Sequence, residues 1–424
     1  MTSAHLSRPL ALAALLFATA PGSAPGQAEP TQAVEGSDLS IALVTMGPGT
    51  RVWERFAHNA LWVRDTVRGV DRIYNYGMFS FEQENFLTRF VRGEMMYWMQ
   101  GFDGERHNRA YQAADRSVWV QELNLTPEQR AELFAFLEWN ERPENTFYRY
   151  DYYLDNCSSR IRDALDGVLE GRLGKLWLQA ETGTTYRFHT RRLLAPDFGA
   201  YFGTYWSLGH PIDRPISMWE ETFLPVRLMV RLRDVTVVGP DGTEEPLVTS
   251  EWTFYQSTQP PEREEPPNWM LQFFLAGLLL AALFYFLGAN ARVFRWARVL
   301  TVVVTSLWAL LLGLGGVFIV AVWIFTAHWA AYNNENLFFT NPIALPLAVL
   351  IPFAAAGKQW AARWACWLAL GVAGLSLLGF VIQALPWFHQ VNGEVIALTL
   401  PPAVGLWWVV EQMAGDASRP RPSG

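Results

Sequence analysis

The sequence predicts an α+β exported domain followed by an α-helical transmembrane bundle. Three observations carry this reading. The first residues read as an export signal, the middle is a mixed globular stretch, and the last third is almost continuous apolar sequence. The chain is 51% hydrophobic with 20 tryptophans, but these residues are unevenly spread, so the composition describes two environments rather than one. Its 424 residues suggest two or three domains. A net charge of −7 without a basic stripe argues against a nucleic-acid partner, because nothing is present to neutralise phosphates.

Residues 1-28 read as a signal peptide. Arg8 supplies the positive start, and Leu10 to Ala20 is an apolar core too short to span a bilayer. Gly26-Gln27-Ala28 is the expected cleavage site; Gly22-Ser23-Ala24 is weaker because Pro25 comes next. A retained short anchor is the alternative, and either reading exports the next segment. No cysteine is present for an N-terminal lipid anchor. Residues 29-256 form the exported domain. Residues 257-268 are a linker, because Pro260, Pro261, Pro266 and Pro267 among charges exclude helix and central strand.

Residues 269-413 hold five expected spans, near 269-289, 299-326, 343-357, 361-385 and 395-413, with a tail at 414-424. The third is short and holds Pro346 and Pro352. Arg292, Arg295, Arg298, Lys358, Arg363, Arg419 and Arg421 lie on alternate connections, while 327-342 and 386-394 carry no Lys or Arg. The positive-inside rule then puts the exported domain outside and the C-terminus in the cytoplasm of a multi-pass protein. The connection from His328 to Asn336 is rich in polar groups, so His328 and Asn336 are candidate substrate contacts at the membrane surface. The plainer reading is a solvated turn with Trp329 and Tyr332 as interfacial anchors.

The chemistry-bearing candidate is Cys157. Only two cysteines are present, and Cys366 lies in a membrane span, so Cys157 is expected as a free thiol. It comes after Asn156 at the start of a helix whose apolar face reads Ile161, Ala164, Leu165, Val168, Leu169. A helix N-terminus stabilises a thiolate, as a sulfur nucleophile requires. The alternative is a small buried hydrophobe.

A nucleophile needs a base, and His58, His107, His189 and His210 are available in the exported domain. His58 sits in a strand-like run ending at Val63, and Arg72 to Tyr76 reads as a second strand after a turn with Gly69. A hairpin with Val63 opposite Arg72 places Ala60 opposite Asn75, and His58 diagonal to Asn75 on one face. The amide would then orient the imidazole. A one-residue slip would put Tyr74 or Tyr76 there instead. His107, between Arg106 and Arg109, is expected to be exposed, and His189 and His210 to lie in loops as candidate substrate contacts. No histidine pair has metal-ligand spacing with a nearby carboxylate, no G-x-S-x-G elbow occurs, and no glycine-rich phosphate loop occurs. No metal or cofactor is expected.

Three runs carry a resemblance: Arg55-Phe56-Ala57-His58-Asn59-Ala60-Leu61-Trp62-Val63, Tyr74-Asn75-Tyr76-Gly77-Met78-Phe79, and Tyr152-Tyr153-Leu154-Asp155-Asn156-Cys157-Ser158-Ser159-Arg160-Ile161-Arg162-Asp163. Together with Trp219 to Pro225 and Asn336 to Pro342, they resemble the Lnb lipoprotein N-acyltransferases over most of the chain. The resemblance implies a circularly permuted papain-like periplasmic domain, with the histidine before the cysteine, fused to a transmembrane bundle in the bacterial inner membrane. It implies a phospholipid acyl donor, a thioester on Cys157, and a diacylated lipoprotein as acceptor through its N-terminal amine. His58 becomes the base and Asn75 the orienting group. Asn156, Tyr153 and Arg160, in the cysteine run, are assigned to substrate contact. Ser158 is a mild departure that leaves the assignment unchanged. The alternatives are a membrane-anchored cysteine amidase or peptidase acting on cell wall or protein, and a binding module without catalysis.

Overall fold

The computed structural model describes residues 35–239 and 241–417; the signal segment and the end of the tail lie outside the described residues. Eleven strands are described: β1 (Leu39–Met46), β2 (His58–Asp65), β3 (Val70–Met78), β4 (Met96–Asp103), β5 (Val118–Leu123), β6 (Phe147–Arg149), β7 (Glu181–Thr185), β8 (Pro215–Ser217), β9 (Thr236–Val238), β10 (Glu244–Pro246) and β11 (Val248–Tyr255). Seven of them form one antiparallel sheet in the order β11-β5-β1-β2-β3-β4-β6. The sheet alternates as a two-sided strand set must. Ile41, Leu43, Leu61 and Val63 face one layer, in which the helices Pro127–Glu141, Cys157–Val168 and Pro225–Leu232 bury Leu133, Ile161 and Leu228. Ala42, Val44, Ala60 and Trp62 face the other, covered by Tyr111 of the helix Gly104–Ala113 and by Phe254.

The expected hairpin forms in the expected register. Val63 pairs with Arg72, Trp62 with Ile73, and Ala60 with Asn75. Gly69 takes φ +71 in the turn, a left-handed conformation open to glycine at little cost. The expected cysteine helix also forms, with Ile161, Ala164, Leu165 and Val168 buried. The mixed sheet domain and the helical bundle after it agree with the α+β-plus-membrane class. β11 ends at Tyr255. The linker is pinned, because Arg192 Nη1 lies 2.9 Å from Glu262.

Among the described residues four helices are long and apolar enough to cross a membrane: Met270–Asn290, Arg295–Phe325, Gln359–Ile382 and Gly393–Gly415 within a helix reaching Ala417. The third expected span is not one regular helix. Residues Glu335–Ala344 and Leu347–Ala355 meet at a 48° bend. Pro342, Pro346 and Pro352 withhold the N–H donors that a continuous helix needs. The broken segment still runs beside its neighbours. Phe338 packs on Gly379 and Ile343 on Gly371 along one helix, while Asn341 packs on Gly316 and Leu345 on Gly313 along another.

The 327-342 connection is not a solvated turn. Asn334, Glu335 and Asn336 are all buried. Asn336 Nδ2 donates to the Trp206 carbonyl at 2.8 Å, and Asn334 Nδ2 donates to that of Ser207 at 2.9 Å. Glu335 accepts from Gln383 Nε2 at 2.7 Å and lies 3.1 Å from His210 Nδ1. Arg191 Nη2 lies 2.8 Å from Glu394 at the start of the last helix. Buried polar groups of the sheet domain and of the membrane half therefore satisfy one another.

Candidate active site

Cys157 is the first residue of its helix. Asn156 caps that helix: its Oδ1 accepts from Ser158 N at 2.9 Å and from Ser159 N at 3.0 Å. Its Nδ2 donates to the carbonyls of Tyr152 and Phe223, both at 2.9 Å. All hydrogen-bonding capacity of this amide is consumed in holding the helix that Cys157 opens, so Asn156 acts on Cys157 through the backbone.

His58 opens β2, directly after Ala57 at φ +66, a left-handed turn that sets the direction of the strand's first side chain. His58 Nε2 lies 2.9 Å from Asn75 Oδ1. A neutral ring that donates from Nε2 to this oxygen leaves Nδ1 as its acceptor. The next residue, Asn59, ties strand to helix: its Nδ2 donates to Ser158 Oγ at 3.2 Å, and its backbone N–H points at the Cys157 sulfur. On the adjoining strand Gly77, at φ +86, sits against the Cys157 Cβ where the β3–β4 register breaks.

Desolvation favours the neutral form of both side chains. Burial pushes the Cys157 thiol up to about 11, against the opposing pull of N–H groups from Asn59, Ser158 and Cys157 itself and of Arg116. The helix start alone therefore does not yield the thiolate expected from the sequence; desolvation outweighs it. Burial, and next the nearby Arg116 charge, lower His58 to about 3, while the Asn75 bond opposes them. A neutral imidazole is the form that can accept a proton from the thiol.

Cys157 and His58 line one cavity of about 820 Å³. Tyr153 and His328 line it too; Tyr153 OH pairs with Thr190 Oγ1 at 2.8 Å, and the His328 ring stacks on Tyr152 with centroids 6.1 Å apart. Phe318 and Val322, from the long Arg295–Phe325 helix, line it as well. Three assignments fall outside its lining: Asn75, which is bonded to His58, and Arg160 and Asn336. Arg160 is turned away, held by Asp155 at 2.5 Å and lying over the Tyr148 ring at 4.0 Å. Asn336 is fully buried where the sheet domain meets the membrane half.

The other histidines are also placed differently. His107 is not exposed; it packs against Tyr111 with centroids 4.9 Å apart, and burial lowers its pKa to about 4. His189 lies in a helix, buried between Glu221, Thr184 and Arg192. His210 contacts His389 at 4.2 Å between ring centroids. Among the described residues no cluster could hold a metal ion.

Sequence reasoning missed Arg116. It is 6% exposed and, among the described residues, is the only Lys or Arg that lines the cavity. Its Nε donates to the Gly47 carbonyl at 2.8 Å, and its Nη2 is buried without a partner among the described residues. Its guanidinium lies 4.7 Å from the Tyr111 ring, which itself stacks on His58 at 6.4 Å. A lone arginine before a strand carries no spacing signal, so only the fold reveals it.

Fold and site together define a membrane protein with a mixed α/β domain whose half-buried thiol and imidazole share a cavity reaching a membrane helix. The model of the Lnb N-terminal periplasmic domain matches residues 26–196, and that of the Lnb transmembrane domain matches residues 266–398. The chain belongs to the Lnb family. No curated protein and no solved structure matches it.

Proposed function

We propose that this protein moves an acyl chain from a membrane phospholipid, through a thioester on Cys157, to the N-terminal amine of a diacylated lipoprotein. One observation carries the reading: Cys157 and His58, the latter held by Asn75, line the same cavity as Phe318 and Val322 of a helix long and apolar enough to cross a membrane. A nucleophile in a cavity lined by such a helix suits a substrate with an acyl chain.

In the first half-reaction His58 Nδ1 takes the thiol proton as the sulfur attacks the ester carbonyl carbon. The Cys157 and Asn59 N–H groups stabilise the oxyanion. Collapse breaks the ester C–O bond, and the leaving alkoxide takes the proton from His58, giving a lysophospholipid. In the second half-reaction the amine attacks the thioester carbon. His58 takes a proton from the attacking amine, the C–S bond breaks, an amide forms, and His58 passes that proton to the sulfur. Asn75 holds the ring throughout.

The proposed topology has residues 29–268 in the periplasm and the C-terminus in the cytoplasm of an inner-membrane protein, from the charge asymmetry of the connections. Purified protein mixed with phospholipid and a diacylated lipopeptide should add one acyl chain to the lipopeptide, read by mass spectrometry. Withholding the amine should trap the acyl group on Cys157. An unchanged lipopeptide, with a cell-wall or protein amide cleaved instead, favours the amidase alternative.

A further inference from the structure

Between β3 and β4 the chain makes a two-turn helix, Phe86–Arg92, in which no residue is buried. Leu87 is 72% exposed, Val91 56%, and Phe81, just before the helix, 66%. Leu87, Phe90 and Val91 share one helical face by spacing. Arg89 and Arg92 occupy the last turn. An exposed apolar face of this kind marks a partner or a membrane.

Its neighbours decide which. The Ala327 N–H donates to the Arg92 carbonyl at 2.8 Å, and His328 Nε2 lies 2.9 Å from the Phe90 carbonyl. Ala327 is two residues beyond the end of the Arg295–Phe325 helix, one of the four that can cross a membrane. The short helix is thus hydrogen-bonded to the chain where it leaves the apolar slab. At 1.5 Å per residue, Phe318 lies about 10 Å deeper than that exit point. Phe79, Phe90 and Val91 line the same cavity as Phe318, Val322 and Cys157. The arginines are placed to reach lipid phosphates while the apolar face inserts.

We propose that residues 79–92 lie in the bilayer interface, with Phe81, Leu87 and Val91 among the acyl chains, and form the membrane side of an opening through which a lipid chain reaches Cys157 sideways. This deepens the acyl-transfer reading, and its test does not require that reading to hold. A nitroxide placed at position 87 by Leu87→Cys, in a Cys157→Ser, Cys366→Ser background reconstituted in liposomes, should be more accessible to oxygen than to a water-soluble nickel chelate. Equal or reversed accessibility overturns the proposal. In the otherwise native protein, a hexadecyl maleimide delivered from the bilayer should label Cys157. The Phe81→Glu, Leu87→Glu variant should lose about tenfold or more of that labelling rate, because a charged side chain is costly in the apolar interface. Its labelling by aqueous iodoacetamide should be unchanged, which excludes a collapsed site. Equal hexadecyl labelling of variant and native protein overturns the proposal. A protein that takes the label sideways but transfers no acyl group refutes the function and leaves the entrance standing.

Discussion

His58 and Asn75 meet side chain to side chain across a hairpin, Nε2 to Oδ1 at 2.9 Å, although 17 residues separate them. The contact is diagonal: Ala60, not His58, is paired with Asn75. His58→Ala is expected to cost as much activity as Cys157→Ala, several orders of magnitude, and the double variant no more, because the pair acts as a unit. Asn75→Ala should be milder, since it frees the ring without removing it. Steady-state rates with phospholipid and lipopeptide test this; additive losses in the double variant would contradict it.

The hairpin and the cysteine helix were legible because local rules decide both. Period-two alternation and a glycine turn set the register of β2 and β3. An apolar 3.6-residue period and an Asn cap set the helix from Cys157. Glu335 and Asn336 were not legible, because their burial depends on Trp206, Gln383 and His210, distant in sequence. Arg160 read as a substrate contact because it lies near Cys157 in the chain, yet Asp155 takes its guanidinium. The third span failed as a regular helix for a reason that was visible: its prolines.

Arg116 is expected to tune the site's titration. Its charge lowers both the Cys157 and the His58 pKa. Arg116→Gln should shift the pH profile of iodoacetamide alkylation at Cys157 to higher pH, and Arg116→Lys should restore part of the shift. An unmoved profile would mean that the guanidinium only supports the fold.

Half-buried His58, held neutral by desolvation, also makes stability depend on pH. Its folded pKa, about 3, lies below the ordinary histidine value of 6.5, so the unfolded chain binds the proton more readily in that window. Stability from this group is complete above about pH 6.5 and is lost as pH falls toward 3. His58→Gln should therefore show a smaller drop in Tm between pH 7 and pH 4 than the native protein, measured in detergent. An identical drop would show that other groups carry the acid sensitivity.

Asn156 and Arg160 are expected to separate, although they are close in sequence. Asn156→Ala removes a helix cap worth ~1 kcal/mol and leaves further buried groups unpaired, so a loss of about 2 kcal/mol or more is expected. Activity should fall with it, because the cap holds Cys157. Arg160→Ala breaks a partly exposed ion pair worth about 0–1 kcal/mol. It should leave kcat/KM within about twofold of native, because the side chain is outside the cavity. A large rise in KM for Arg160→Ala would restore it as a substrate contact.

Glu335 tests the junction between the two halves. It lies 3.1 Å from His210 of the sheet domain, accepts from Gln383 of the membrane half at 2.7 Å, and donates its backbone N–H to Gln390 at 2.8 Å. Truncation to alanine removes the acceptor of the half-buried His210 and Gln383 side chains and of the buried Gln390 N–H, at a cost of about 1–3 kcal/mol. Ala330, five residues earlier, packs in the same cluster as Tyr153, Tyr186 and Phe223, and Ala330 and Trp329 line the cavity. Loosening the junction should therefore disturb the cavity wall without touching Cys157. Glu335→Ala is expected to raise protease sensitivity within residues 257-268 and to lower phospholipid turnover, while iodoacetamide still reaches Cys157 at the native rate. Glu335→Gln retains an acceptor for Gln383 and should fall between the two. Protease sensitivity and turnover both unchanged in Glu335→Ala would show that the sheet domain keeps its place on the membrane half without this carboxylate.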